Sequence, residues 1–321
     1  MAHRAALMTT LLFAFSLEVG AQSYPVKPVK IVVPFPPGGS TDVMARNLGS
    51  ELSKRLGQPF IVENKPGANG NIGSDSVAKA PPDGYTLLLA GVGTNAINQT
   101  LYRNMPYDTT RDFAPVTLLA TGPNVLVAHP DFPGKTVGDV IAIAKAEAGK
   151  LAHGSNGNGS SGHLAMEMLK QAAGIQMVHI PYKGGGPAMA DLMGGQIPLL
   201  FTNQDAALAN VRAGKIRAIA VASAERNPAF PDIPTVAESG LPGFAAVSWF
   251  GLVAPAKTPP DIIKRLHAET ANVLNEPAFR IKLEQVGFVV VGNTPEQFGA
   301  FMKSEVERWG QAVKNSGASV D

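Results

Sequence analysis

From Val29 onward, short β-branched or apolar runs alternate with stretches that repeat apolar residues at helical spacing. Such alternation predicts strands joined by crossover helices, and hence an α/β chain. The first strand is expected over Val29–Val33, and the helix after it carries Leu48, Leu52 and Leu56 on one face, with Gly57 as its stop. Further strands are expected over 60–62 and 86–90, separated by the glycine-rich turn 66–70 and a short helix ending near Pro81-Pro82.

Strands over 116–119 and 125–128 have little between them except Gly122-Pro123, so the chain is expected to pass there from one lobe into another. Helices over 137–148, 162–173, 187–193 and 206–213 then alternate with strands over 151–153, 177–180, 198–201 and 217–221. The apolar run 245–254 offers a second crossing, after which the amphipathic helices 261–274 and 295–313 are placed back on the first lobe. The expected organisation is a two-lobed α/β fold, each lobe a mostly parallel sheet flanked by helices. The first lobe takes 22–123 and 247–321, and the second takes 124–246. Two crossing segments permit hinge closure over a cleft. A single doubly wound sheet fits the same alternation.

Composition narrows the function. At 321 residues and 45% hydrophobic content, the chain can build more than one core. Lys+Arg 27 against Asp+Glu 25, with no basic run interleaved with aromatics, makes nucleic acid an unexpected partner. The absence of cysteine excludes disulfides and thiolate chemistry. His3 and Arg4 precede an apolar stretch from Ala5 to Leu17, followed by Val19-Gly20-Ala21. This reads as a secretory signal over 1–21, shorter than the ~20 apolar residues a spanning helix needs. The mature protein is therefore expected outside the cytoplasm, and it is taken to act as a monomer.

In open α/β sheets ligands bind beyond the carboxyl ends of strands, and two strand-to-helix turns are unusual. In the first, paired prolines stiffen the exit from the strand, Gly38 and Gly39 let the backbone turn, and Ser40, Thr41 and Asp42 stand at expected N-cap positions. The second runs from Gly154 to His163 and carries Ser155, Ser160 and Ser161. A helix N-terminus leaves N–H groups unpaired and carries partial positive charge, so each turn suits a carboxylate or phosphate, and two from opposite lobes could grip one anion. Asp42 would repel such an anion if it faced the cleft, so it is expected to cap its own helix or to touch a hydroxyl or water.

Other chemistries fit less well. Gly157, Gly159 and Gly162 match the dinucleotide fingerprint, but 178–183 supplies no acid for the ribose. Ser40 and Ser160 lie on turns where a nucleophile could sit, yet each lacks one glycine of the nucleophile elbow. His163 and Glu167 share a helix face at ligand spacing without a third ligand in view. No catalytic residue, metal or cofactor is expected.

Four segments carry a resemblance: VVPFPPGGSTD over 32–42, VENKPGANGNIG over 62–73, PDGYTL over 82–87 and PYKGGGPA over 181–188, with GKIRA at 214–218 and PDIPT at 231–235 in support. Together they resemble the periplasmic solute receptors of tripartite tricarboxylate transporters, also called the Bug family, over about 24–313. The resemblance implies a Venus-flytrap receptor, not an enzyme, that delivers a small organic carboxylate to membrane transporter subunits. It further implies that Phe35, Gly38, Gly39, Ser40, Thr41 and Asp42 face Ser155, Gly159, Ser160 and His163 across the ligand. Gly91, Thr94, Asn95, Tyr182, Lys183, Thr202, Asn203 and Asp205 would then line the rest of the cleft. Relatives are similar in taking di- and tricarboxylates, acidic amino acids or aromatic acids. Many have Asp-Asn where this chain has Thr202-Asn203, which implies an acid without an ammonium group.

Overall fold

A computed structural model describes residues 24–147 and 149–320, and the expected signal segment lies outside them. Strand β1 (Val29–Val33) leads into α1 (Ser40–Leu56), β2 (Phe60–Asn64), α2 (Asn71–Ala78) and β3 (Thr86–Gly91). A π-helical turn Gly93–Ile97 and the short α3 (Asn98–Leu101) precede the long β4 (Phe113–Ala128). Then come α4 (Val137–Ala146), β5 (Ala152–Ser155), α5 (Ser161–Ala173), β6 (Val178–Pro181), α6 (Gly185–Met193), β7 (Leu199–Asn203), α7 (Gln204–Arg212) and β8 (Arg217–Val221). The chain returns through β9 (Val247–Pro255) and finishes with α8 (Pro260–Asn275), α9 (Pro277–Glu284), β10 (Val289–Val290) and α10 (Pro295–Ser316).

Hydrogen bonding runs in the order β2-β1-β3-β9-β4-β7-β5-β6. The outer strands form two parallel sets, β2-β1-β3 and β7-β5-β6, as crossover connections dictate. Antiparallel pairing enters with the crossing strands: β9 pairs β3 and β4, and β4 also pairs β7, β8 and β10. The result is a two-lobed α/β fold with a mixed sheet, and its parallel character belongs to the outer strands of each lobe.

The two strands expected on either side of Gly122-Pro123 are one continuous strand of 16 residues. Gly122 and Pro123 oppose Ser248 and Val247 of β9, and at Asn124 the chain begins to pair with Asn203 of β7. Proline lacks an N–H, but here it sits where one partner strand gives way to another, so the loss is tolerated. Gly122 lies close against the buried Gln204 side chain, whose amide end would have to shift to admit a Cβ.

Each half has its own apolar cluster. Leu48 and Leu52 of α1 pack with Ile31, Val33, Leu87 and Leu266 in one, and Val127, Leu192, Leu200 and Leu208 form another. A third cluster runs along both halves and includes Leu88, Leu126, Phe201, Trp249, Phe298 and Trp309. Full burial of such side chains stabilises by roughly 1.5–3 kcal/mol each. Helix α8 packs on α1 and β4, whereas α10 packs on α3 and β4 and also reaches α5 of the other half. Sequence periodicity did not indicate α3, α9 or β10, which are four, eight and two residues long.

Candidate functional site

The turn after β1 is held by Asp42. Its carboxylate accepts from the Gly38 N–H at 3.0 Å, from Asn64 Nδ2 at 2.9 Å and from Arg46 Nε at 3.0 Å. Burial pushes this carboxyl up, but the bonds from Arg46, Gly38 and Asn64 outweigh it and hold it below the usual carboxylate range. Gly38 adopts the left-handed φ of 89°, which a side chain would resist. Asp42 thus fixes the turn and lies outside the hollow that the turn borders, while Gly39 takes the N-cap place expected of a side-chain cap.

The turn after β5 is held by imidazoles. Ser155 Oγ shares a 2.7 Å hydrogen bond with His179 Nε2, and the Gly159 N–H donates to His163 Nδ1 at 3.2 Å. Ser160 caps α5, its Oγ accepting from the His163 N–H at 3.2 Å. Ser161 Oγ donates to Asn124 Oδ1 at 3.0 Å and lies 2.7 Å from Ser248 Oγ, tying the first turn of α5 to both crossing strands. Gly162 leaves room for the carbonyl of Phe201, with which a Cβ would collide. That close helix–strand contact accounts for the last glycine of the fingerprint-like triplet.

Behind this turn His153, His163 and His179 stack, with ring centroids 5.1 Å apart for His153–His179 and 4.0 Å for His163–His179. Glu167 approaches His153 and His163 at 4.0 and 3.9 Å, and Lys170 donates to Glu167 at 2.8 Å. Burial, then neighbouring His179, pushes His153 and His163 down to about 3, and burial pushes His179 down to about 4. All three rings are neutral at pH 7. Among the described residues no group of His, Asp and Glu is arranged to hold a metal ion.

The two turns border one hollow of about 720 Å³. Of the residues singled out from sequence, Phe35, Gly38, Gly39, Ser40, Thr41, Gly91, Ser160, Lys183, Thr202, Asn203 and Asp205 line it. Asp42, Thr94, Asn95, Ser155, Gly159, His163 and Tyr182 do not; of these, Asp42, Thr94 and His163 hydrogen-bond to the lining residues Gly38, Gly91 and Ser160. Thr94 and Asn95 are fully buried, with Thr94 Oγ1 donating to Asn95 Oδ1 at 2.7 Å and Tyr107 donating to the Thr94 carbonyl at 2.7 Å. Tyr182 donates to Asp191 at 2.7 Å.

Four helix N-termini meet at the hollow: α1 through Gly39 and Ser40, α5 through Ser160 and Ser161, α6 through Gly184 and Gly185, and α7 through Asn203 and Asp205. Each contributes N–H groups without intrahelical acceptors and the positive end of a helix dipole. The halves touch where Ser40 Oγ donates to Asp205 Oδ1 at 2.8 Å. The apolar wall is formed by Phe35, Met189, Trp249, Phe250 and Phe288. Trp249, Phe250, Phe288 and Lys282 escaped the sequence reading because they reach the hollow from β9, α9 and the segment before β10, elements placed by pairing and packing against residues distant in sequence. Asn69 and Asn156 did carry a signal, since both sit in the glycine-rich turns already noted.

Ser40 donates to a carboxylate, Ser160 accepts from a backbone N–H, and among the described residues neither hydroxyl is hydrogen-bonded to an imidazole ring.

A family model described as the tripartite tricarboxylate transporter family receptor matches residues 44–318. Protein BugT of Bordetella pertussis is 40% identical over 94% of this chain and 93% of its own length. A Rhodopseudomonas palustris protein solved with adipate superposes with a TM-score of 0.89 at 37% identity, covering 92% of this chain and 98% of that one. MatC from Rhodopseudomonas palustris, with bound malate, gives 0.86 at 34% identity, covering 90% of this chain and 100% of that one. The chain belongs to the tripartite tricarboxylate transporter receptor family of periplasmic solute-binding proteins.

Proposed function

We propose that this protein captures a small organic carboxylate between its lobes outside the cytoplasm and delivers it to membrane subunits of a tripartite tricarboxylate-type transporter. The observation that carries this reading is the convergence of four helix N-termini, from both halves, on one hollow. Hydrogen bonds to a charged group contribute about 1.5–3 kcal/mol each, and micromolar affinity corresponds to about −8 kcal/mol, so several donors are required. One turn alone binds weakly, and closure of both lobes decides affinity.

Lobe boundaries at 123/124 and 246/247 accord with the change of strand partner at Asn124 and with the start of β9 at Val247. Ligand contacts are assigned to Ser40, Thr41, Ser160, Thr202 and Asn203, with Phe35 and Trp249 enclosing the carbon skeleton. Export through the signal segment 1–21 belongs to the same reading. Relatives solved with adipate and malate support a carboxylate as cargo.

A thermal-shift screen of purified protein against di- and tricarboxylates and aromatic acids tests it. A ligand at about 100 times its dissociation constant adds about 2.7 kcal/mol of stability. Recovery of the acid unchanged after incubation is the second expected result. No shift with any carboxylate, or turnover of one, would refute the proposal.

A further inference from the structure

We propose that Asp205 sets the selectivity of the hollow by receiving a hydrogen-bond donor, a hydroxyl or an ammonium, that the bound acid carries beside its carboxylate. The inference rests on the receptor reading above and narrows its ligand class to hydroxy- or amino-substituted organic acids.

The four helix ends at the hollow are not equivalent. The first turns of α5 and α6 contain no acidic residue, and Asp42 of α1 is paired with Arg46 and lies outside the hollow. In α7 the acid of the first turn, Asp205, lines the hollow. Its hydrogen-bond donors are the Ser40 hydroxyl and the N–H groups of Ala206 and of Asp205 itself. Asp205 forms no ion pair among the described residues. The two lysines at the hollow lie elsewhere, Lys183 exposed and Lys282 donating to Asn47 Oδ1 at 2.6 Å. Enclosure pushes the Asp205 carboxyl above its ordinary range despite those bonds.

A ligand therefore meets N–H donors at all four helix ends, and at the fourth also a carboxylate acceptor without a cation. Against ionised Asp205 a plain diacid would set two carboxylates against each other, whereas a hydroxyl or ammonium there satisfies an acceptor that the protein leaves without a cation. Sites that hydrogen-bond one substituent discriminate strongly against analogues that lack it. The charge that Thr202 does not supply is thus present three residues later, in the same hollow, so an ammonium group on the ligand is not disfavoured.

The test uses the full mature chain and sets of acids that share a skeleton: succinate, malate and aspartate; adipate, 2-hydroxyadipate and 2-aminoadipate; benzoate and 4-hydroxybenzoate. Calorimetry on wild type, Asp205→Asn and Ser40→Ala gives the dissociation constants. In whichever set binds, wild type is expected to prefer a substituted member over the plain one by on the order of tenfold or more, and Asp205→Asn to lose that preference. The hydroxyl and amino arms tell the two donors apart. Asparagine keeps an acceptor for Ser40, so contact between the lobes survives. Ser40→Ala breaks that contact and should weaken all members of a set alike, with their order kept. Equal or tighter binding of the plain acid by wild type, or a preference that survives in Asp205→Asn, overturns this inference and leaves the receptor reading standing. Failure of every acid to bind wild type overturns both.

Discussion

Acid should destabilise this protein well before its carboxylates titrate, because two buried imidazoles and a half-buried third are held neutral behind the turn at 155–160. An unfolded histidine titrates near 6.5, whereas His153 and His163 are held at about 3 and His179 at about 4 in the fold. A depressed folded value means that the unfolded chain binds the proton first, so stability is fully present above about pH 6.5 and falls as the pH drops toward the folded values. For one imidazole shifted from 6.5 to about 3, the loss between pH 7.5 and pH 5 is about 2 kcal/mol. That is a large share of a typical total of about 5–15 kcal/mol.

The window is selective. Asp42, Asp139 and Glu238 have lowered values and release their contribution only under stronger acid. Asp205 has a raised value and runs the other way, gaining stability as the pH falls. The assay is urea unfolding at pH 7.5 and pH 5 for wild type and His163→Asn, whose amide oxygen can replace Nδ1 as acceptor for the Gly159 N–H. Comparing each protein with itself across pH cancels any loss common to both conditions. The variant should lose about 2 kcal/mol less than wild type between the two pH values. Equal unfolding free energies for wild type at both pH values, or the same loss in the variant, would refute the reasoning.

Three further outcomes can be checked. Ser160→Ala combined with Thr41→Ala should weaken carboxylate binding in calorimetry, while loss of the Ser160 cap lowers ligand-free stability by about 1 kcal/mol in a thermal melt. Gly162→Ala sets a methyl group against the Phe201 carbonyl and should cost about 1–3 kcal/mol in denaturant unfolding, since both atoms in collision are backbone-fixed. Asp42→Ala leaves the Gly38 N–H, Asn64 and Arg46 without their acceptor. It should cost about 2–3 kcal/mol in the same assay and, by loosening the turn, weaken ligand binding as well.

Local patterns made much of this fold legible. Strand-forming runs, helical spacing and glycine stops located β1, α1, α5, α7, β8 and α10 because each is specified by residues within a few positions of one another. The two glycine-rich turns were legible for the same reason, since a helix N-terminus is a local feature. Short elements whose existence depends on a distant partner were not. The two residues of β10 form a strand only because Thr121 and Ala120 of β4 pair with them.

The candidate site divides along the same line. Sequence alone placed Gly38, Gly39, Ser40 and Ser160 at strand-to-helix turns suited to an anion, and thereby pointed to the kind of group proposed as ligand. Only the tertiary structure decided that four such turns face one hollow, that Thr94, Asn95 and His163 stand behind it, and that Trp249 and Phe288 close its apolar wall. It also decided that Asp205 meets Ser40 across 165 positions of sequence. Backbone propensity acts between neighbours, whereas which helix ends converge depends on the path of β4 and β9 through both lobes, and no short stretch of the chain encodes that path.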